Sequence, residues 1–468
     1  MSLWGIAVRS IRQRGVASLL TIISMSLGVA LIVAVLIVYG VIQESFRNAA
    51  SGYNFIVGKK GSPLELVLNT VYFQGRPNEP LPWSYYKTFL PGGSRSDAPE
   101  VAVPYCLGDN YEGHRVVGTT PELFTAVEYA QGKKYQFAAG RNFGQAAALA
   151  AGEKLPEKKP TQVQADDDDT PMPHVHSTPP FFNEAVIGSQ VARHTGLKVG
   201  ESFKPAHGLD ADPTLPPHEH DPVKIVGLLA PTGTPNDRAI FMNIEGFYLL
   251  DGHSKSGGHH HGGPLPEEDR EVTAVLVRTK SDEEFAPMVP LLVKELNEGN
   301  EAQAVAPRAE ISRLIDNIIG PILMLLLAVA CLIVFVAGLG VVVSIYNSMN
   351  ERRREIAVMR SLGAGRSTVL AVVLLESLLL ALAGGLLGFV IGHGLPILAG
   401  PALLDYTGVD VGGLNFPTTE IRLAHGVLIV PLEVVLLPGL VLLSAVVGFF
   451  PALAAYRTDV SRALASSN

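Results

Sequence analysis

Apolar residues gather into four long runs along this chain, at residues 17–42, 317–346, 367–399 and 426–456. A helix needs about 20 apolar residues to cross the hydrocarbon core of a bilayer. Each run is long enough, so the pattern predicts four transmembrane α-helices. Residues 43–316, between the first two runs, break into shorter segments. Phe55–Gly58, Arg115–Gly118, Ala185–Ile187, Lys224–Leu229, Ala239–Met242 and Val272–Arg278 read as strands; Pro121–Ala126, Ser189–Thr195 and Pro287–Glu298 read as helices. Their interleaving predicts a large α/β (α+β) domain between helices 1 and 2. Residues 146–180, with Asp166–Asp169 and six prolines, and residues 251–270, rich in Gly, His and acid, read as mobile insertions. Arg308–Asn317 is a helical lead into the second span, and Pro431 and Pro438 are placed to kink the fourth.

Ahead of the first run, Leu3, Trp4, Ala7, Val8 and Ile11 recur at helical spacing, with Arg9 and Arg12 on the other side. That is the pattern of a short amphipathic helix lying at a membrane interface over residues 1–16. The first run is about 26 residues, beyond the 7–15 of a signal peptide's apolar region, and reads as a retained span.

Composition agrees with the pattern. The 468 residues are 47% hydrophobic and 17% charged, with mean hydropathy +0.27; soluble proteins carry about 25% charged residues. The net charge of −8 argues against a nucleic-acid binder, which would show a basic face. The two cysteines, Cys106 and Cys331, fall in the soluble region and in an apolar run, so no disulfide framework is expected. Charge also orients the spans. Residues 1–16 and 347–366 each sum to +3 and the tail 457–468 to +1, whereas 43–316 sums to −11 and the connection 400–425 to −2. By the positive-inside rule both termini and the 347–366 loop are cytoplasmic, and the large domain is outside.

The 347–366 loop carries the most telling residues. Glu351–Leu362 reads as a short helix ended by Gly363, with Glu351, Arg352, Arg353, Arg354 and Glu355 in its first turns. Ile356, Met359 and Leu362 form a narrow apolar strip that a partner could accept. A simple positive-inside anchor is the alternative. In the third run Gly384, Gly388 and Gly392 stand at four-residue spacing, which lets helices approach closely in lipid. Glu376 is an acid inside a span, read here as a packing or hydrogen-bonding group near the cytoplasmic end.

Taken in order, the entry segment Arg9–Val29, one span, a large external domain, the Glu351–Gly365 segment, the Glu376 and glycine-rich third span, and the exit Pro451–Leu464 resemble the permease subunit of a MacB/FtsX-like (type VII) ABC transporter. The resemblance is strong over the membrane half; residues 43–316 correspond mainly in position and size. It implies that Glu351, Arg352, Arg353, Arg354, Glu355 and Met359 dock an ATP-binding subunit, with Gly363 shaping the turn. It also implies a second permease copy, as a homodimer or a related chain, a location in the bacterial inner membrane, and external motion that hands on a substrate. A periplasmic binding protein is a further expected partner, beside membrane lipid. No Gly-x-x-x-x-Gly-Lys-Ser/Thr phosphate cradle occurs in this sequence, so ATP is expected on the partner subunit and no catalytic cofactor on this chain. A regulator that transmits motion without cargo and a membrane-anchored metal-binding receptor are the alternative functions.

Eleven of the thirteen histidines fall in residues 43–316. His218-Glu219-His220 can turn both imidazoles the same way in an extended segment. With His253 and His259, His260 and His261, they are candidate ligands for zinc or another transition metal. The alternative for the Gly-flanked His259–His261 tract is a loop that binds metal only weakly. No nucleophile–base spacing is present, so a hydrolase is not expected.

Overall fold

The computed structural model describes residues 3–49, 52–130, 132–153, 181–208, 222–250, 264–280, 289–351, 365–407, 418–423, 426–431, 434 and 436–456. The chain divides into a helical unit (Met1–Gln43, Ile315–Leu404 and Asp410–Asn468) and a sheet unit (Glu44–Leu314 with Asp405–Val409).

In the helical unit, α1 covers Leu3–Gln13, α2 Gly15–Ala49, α3 Gly320–Glu351, α4 Arg366–Thr407 and α5 Leu436–Tyr456. Among the described residues three helical stretches are long and apolar enough to cross a membrane: Gly15–Val41, Pro307–Asn347 and Ser367–Ala402. Helix Pro307–Leu314 supplies the expected lead and joins α3 through a π-helical turn, Ile315–Ile319.

The fourth apolar run differs from its reading as one span over 426–456. Gly426–Pro431 is a strand, paired antiparallel with Thr418–Leu423 from Leu423↔Gly426 to Thr418↔Pro431. Short aliphatic runs suit a strand as well as a buried helix, and a proline is tolerated at the end of a two-stranded hairpin. The helix starts only at Leu436, and its described apolar part, Pro438–Phe450, is shorter than the other three. Pro438 then sits in a first turn, where a proline removes no helix hydrogen bond, and not at an interior kink.

The sheet unit is built on one mixed sheet. Its strands are β1 (Phe55–Lys59), β2 (Pro99–Tyr111), β3 (His114–Thr119), β4 (Phe137–Gly140), β5 (Glu184–Ile187), β6 (Val223–Leu229), β7 (Ile240–Asn243), β8 (Ala274–Thr279) and β9 (Ala302–Val305). They lie in the order β9-β1-β8-β2-β3-β7-β5-β6-β4, with short strands Ser202–Phe203 on β6 and Ala206–His207 on β2. Pairing is parallel at β3–β7 and β5–β6 and antiparallel elsewhere on that path. Every residue of β3, β5 and β7 is buried, which requires cover on both faces. Helix Pro63–Tyr72 shows how local residues fix an element. The Ser62 hydroxyl accepts the Glu65 N–H, Pro63 opens the first turn, and Phe73 closes the helix in the left-handed region at φ 56°.

An ion cluster, with Glu184 buried and Glu153 at the surface, holds the β4 end of the sheet. Arg141 donates to both Glu184 oxygens at 2.7 and 3.0 Å and to both Glu153 oxygens at 2.7 and 2.8 Å. Glu184 also accepts the Gly144 N–H at 2.8 Å. Arg141→Met would strand the buried Glu184 charge, so a loss of about 3 kcal/mol is expected. Denaturation followed by Trp83 fluorescence in a Trp4→Phe background measures it.

Candidate functional site

The chain turns between α1 and α2 at Arg14, and the turn directs that guanidinium into the helical unit, where its side chain is 13% exposed. There it meets Glu376 of α4. Glu376 Oε2 accepts the Ser10 hydroxyl of α1 at 2.8 Å, and Oε1 lies 3.4 Å from Arg14 Nη1. Arg14 Nη2 donates to the Ser344 carbonyl of α3 at 2.8 Å. Arginine suits this place because its planar fork can serve a carboxylate and a carbonyl together. One buried acid is thereby tied to α1, to the α1–α2 turn and, through Arg14, to α3. The intramembrane carboxylate was legible in the sequence; its partners Ser10, Arg14 and Ser344 were not. Their one signal is that Ala7, Ser10 and Arg14 recur at helical spacing, and a serine on that face needs a partner.

Below the clamp, glycines set the distance between helices. A Cβ on Gly384 would meet Met25 Cβ at 2.7 Å, one on Gly388 the Ser26 carbonyl at 2.5 Å and Val29 Cβ at 2.7 Å, and one on Gly392 Val33 Cβ at 2.7 Å. All four contacted residues belong to α2, so the three glycines form one seam between α2 and α4. On α4's other side Ser377 donates to the Ser444 carbonyl of α5 at 3.1 Å, and a Cβ on Gly448 would collide with Ser377. Gly28 of α2 makes the matching close approach to Val334 of α3. His393, buried in α4, stacks on Phe389 with ring centroids 4.3 Å apart, its Nδ1 3.2 Å from the Phe389 carbonyl.

The remaining site candidates are placed unevenly. Glu351 ends the backbone of α3, while Arg352, Arg353, Arg354, Glu355, Met359 and Gly363 lie outside the described residues. So do His218, His220, His253, His259, His260 and His261. Among the described residues no group of three or more His, Cys, Asp or Glu side chains could hold a metal ion. The structure instead brings together His114 and His194, with ring centroids 5.5 Å apart. Nδ1 of His114 is 3.0 Å from the Arg238 carbonyl, and burial holds this imidazole below its usual pKa. His207 Nδ1 lies 3.4 Å from the buried Asp109 carboxylate.

Comparison with known proteins bears on both units. The family described as "MacB-like periplasmic core domain" matches residues 18–289, more than half of the chain. "FtsX-like permease C-terminal" matches residues 327–460. An uncharacterized ABC transporter permease of Methanocaldococcus jannaschii, MJ1507, is 25% identical over 172 residues, 36% of this chain and 39% of that protein. The ABC transporter permease YtrF of Bacillus subtilis is 31% identical over 143 residues, 30% of this chain and 31% of its own. The macrolide export ATP-binding/permease protein MacB of Bdellovibrio bacteriovorus is 31% identical over 106 residues, 23% of this chain and 16% of that protein. The chain thus spans under half the length of these curated relatives. With one family matching α2 and the sheet unit as far as residue 289 and the other matching the α3–α5 helices, the chain belongs to the MacB/FtsX-like ABC transporter permeases.

Proposed function

We propose that this chain is a permease subunit that takes its driving force from a separate ATP-binding subunit and moves its sheet unit to hand on a substrate outside the membrane. In this reading α2, α3, α4 and α5 are four spans; α5, with 21 residues, is about 31 Å long and matches a hydrocarbon core of about 30 Å. Both termini and residues 347–366 face the cytoplasm of an inner membrane, and a second copy completes the complex.

The observation that carries the reading is the way α4 is tied to α1, α2 and α3. Helix α4 follows directly on the basic Glu351–Gly363 segment, and Glu376 and the Gly384–Gly392 seam fasten it to them. A push received by the basic segment enters α3 and α4 together. Close glycine packing allows little slip, because a packed interface transmits displacement and does not absorb it. The push therefore reaches α2, from which the chain continues into the sheet unit. Lys and Arg do not occur in the apolar runs, and a charged aqueous lining is not needed for such a lever.

Copurification tests the proposal. An ATP-binding subunit is expected to copurify with the chain and to be lost, by tenfold or more, from a variant carrying Arg352→Glu, Arg353→Glu and Arg354→Glu that melts at the parent's temperature. Undiminished copurification, or labelling of Glu355→Cys from outside intact cells, would overturn it.

A further inference from the structure

Helix α1 has two faces with different partners. Ala7 and Ser10 are buried, and Arg14 continues that face into the clamp with Glu376. At about 100° per residue, the helix surface runs from Trp4 on the flank of that face through the half-buried Val8 to Arg12 and Arg9 on the opposite side. Trp4 is 57% exposed, and Arg9 and Arg12 are exposed. Neither Arg9 nor Arg12 has a side-chain hydrogen bond or ion pair among the described residues. No acid occurs in residues 1–16. The three arginines that make the N-terminal segment basic therefore divide: Arg14 answers an internal carboxylate, and the other two point away from the unit.

We propose that the outer face of α1 is a docking surface for anionic phospholipid headgroups, with Arg9 and Arg12 taking the phosphate charge and Trp4 set at the edge of the hydrocarbon. The charge argues for this occupant. Two guanidiniums three residues apart lie one turn apart on a helix, and each can take phosphate oxygens through a planar fork. A tryptophan beside them, apolar with one polar N–H, is the residue type that sits at the boundary of lipid and water. A zwitterionic headgroup would return no net charge to these cations. Two such cations near an anionic surface correspond to a preference of roughly tenfold or more over a neutral one. The proposal rests on the chain being a membrane protein and not on the ATP-binding partner.

The chain has two tryptophans, Trp4 and the buried Trp83, so Trp83→Phe leaves Trp4 as its one indole reporter. The full chain is reconstituted into phosphatidylcholine vesicles, recovered by flotation, and tested with equal small fractions of acyl-brominated phosphatidylglycerol or phosphatidylcholine. Brominated phosphatidylglycerol is expected to quench Trp4 several-fold more than brominated phosphatidylcholine. Arg9→Gln with Arg12→Gln should equalise the two lipids, and Arg9→Lys with Arg12→Lys should restore most of the difference. Should Trp83→Phe fail to fold, subtracting the emission of Trp4→Phe from that of the unaltered chain isolates the same signal. Equal quenching by both lipids in the parent, or none by either in floated vesicles, as a protein partner covering α1 would give, overturns the proposal. A chain that does not float with the vesicles overturns the membrane assignment beneath it.

Discussion

Glu376→Ala is expected to destabilise the helical unit by about 3 kcal/mol or more, the range for breaking one side of a buried ion pair. The glutamate and arginine side chains are 7% and 13% exposed, so solvent screens them little. At 3.4 Å the Arg14–Glu376 contact is not a tight bidentate pair, and the Coulomb gain is only part of what holds it. The larger part is accounting for polar groups: the substitution takes the carboxylate acceptor from the Ser10 hydroxyl and the counter-charge from Arg14 at once. Glu376→Gln keeps an acceptor for Ser10 and removes only the charge, so it should fall between Glu376→Ala and the parent. Arg14→Met combined with Glu376→Met removes both charges and should recover most of the loss, because a buried pair is often no better than an apolar one of similar size. Titrating the detergent-solubilised chain with SDS and following helix loss ranks the four proteins. If Glu376→Ala unfolds at the parent's midpoint, the clamp contributes nothing.

The contrast between what the sequence disclosed and what it concealed follows from the range of the interactions. Strands covered on both faces read as continuous apolar runs, and so β3, β5, β6 and β7 were found within one residue of their ends. The longest strand, β2, was missed. It contains Pro99, Pro104, Gly108, Asp109 and Asn110, residues that read locally as turns. Tertiary pairing overrides them: the Pro99–Tyr105 half pairs with β8 and the Cys106–Tyr111 half with β3, with a register shift at Leu107/Asp109. β9 was missed because Ala302–Val305 is short and alanine-rich, and its strand character comes from pairing with β1. In the helical unit the glycine spacing was legible because small residues at four-residue intervals share one face of a helix. The facing residues on α2 carry no such mark. Met25, Ser26, Val29 and Val33 are ordinary span residues, and only the fold selects them as the other half of the seam.

That seam yields the other large effect. Gly388→Leu is expected to abolish recovery of folded protein, and Gly388→Ala to cost about 1–3 kcal/mol, the range for overpacking a filled interior. Added at Gly388, a Cβ would stand 2.5 Å from the Ser26 carbonyl oxygen, 2.7 Å from Val29 Cβ and 3.1 Å from the Ala30 nitrogen. Two of these are backbone atoms and the third lies next to backbone, so none can swing aside. Relief requires α2 and α4 to separate, which would weaken the neighbouring contacts at Gly384 and Gly392 as well. Gly385 is the matched control. Its added Cβ would also meet an atom at 2.5 Å, but that atom is Leu440 Cδ1, the far end of a flexible side chain. Gly385→Ala should therefore be close to neutral. Gly340, with nothing within 4 Å of a new Cβ, should gain up to about 1 kcal/mol as alanine from helix propensity alone. The order Gly340→Ala, Gly385→Ala, Gly388→Ala in falling SDS midpoint follows from backbone against side-chain obstruction. Helix propensity alone would favour alanine at all three positions. Equal midpoints for Gly385→Ala and Gly388→Ala would mean that α2 and α4 do not meet along this line, and the lever from the basic segment to α2 would lose its rigid link.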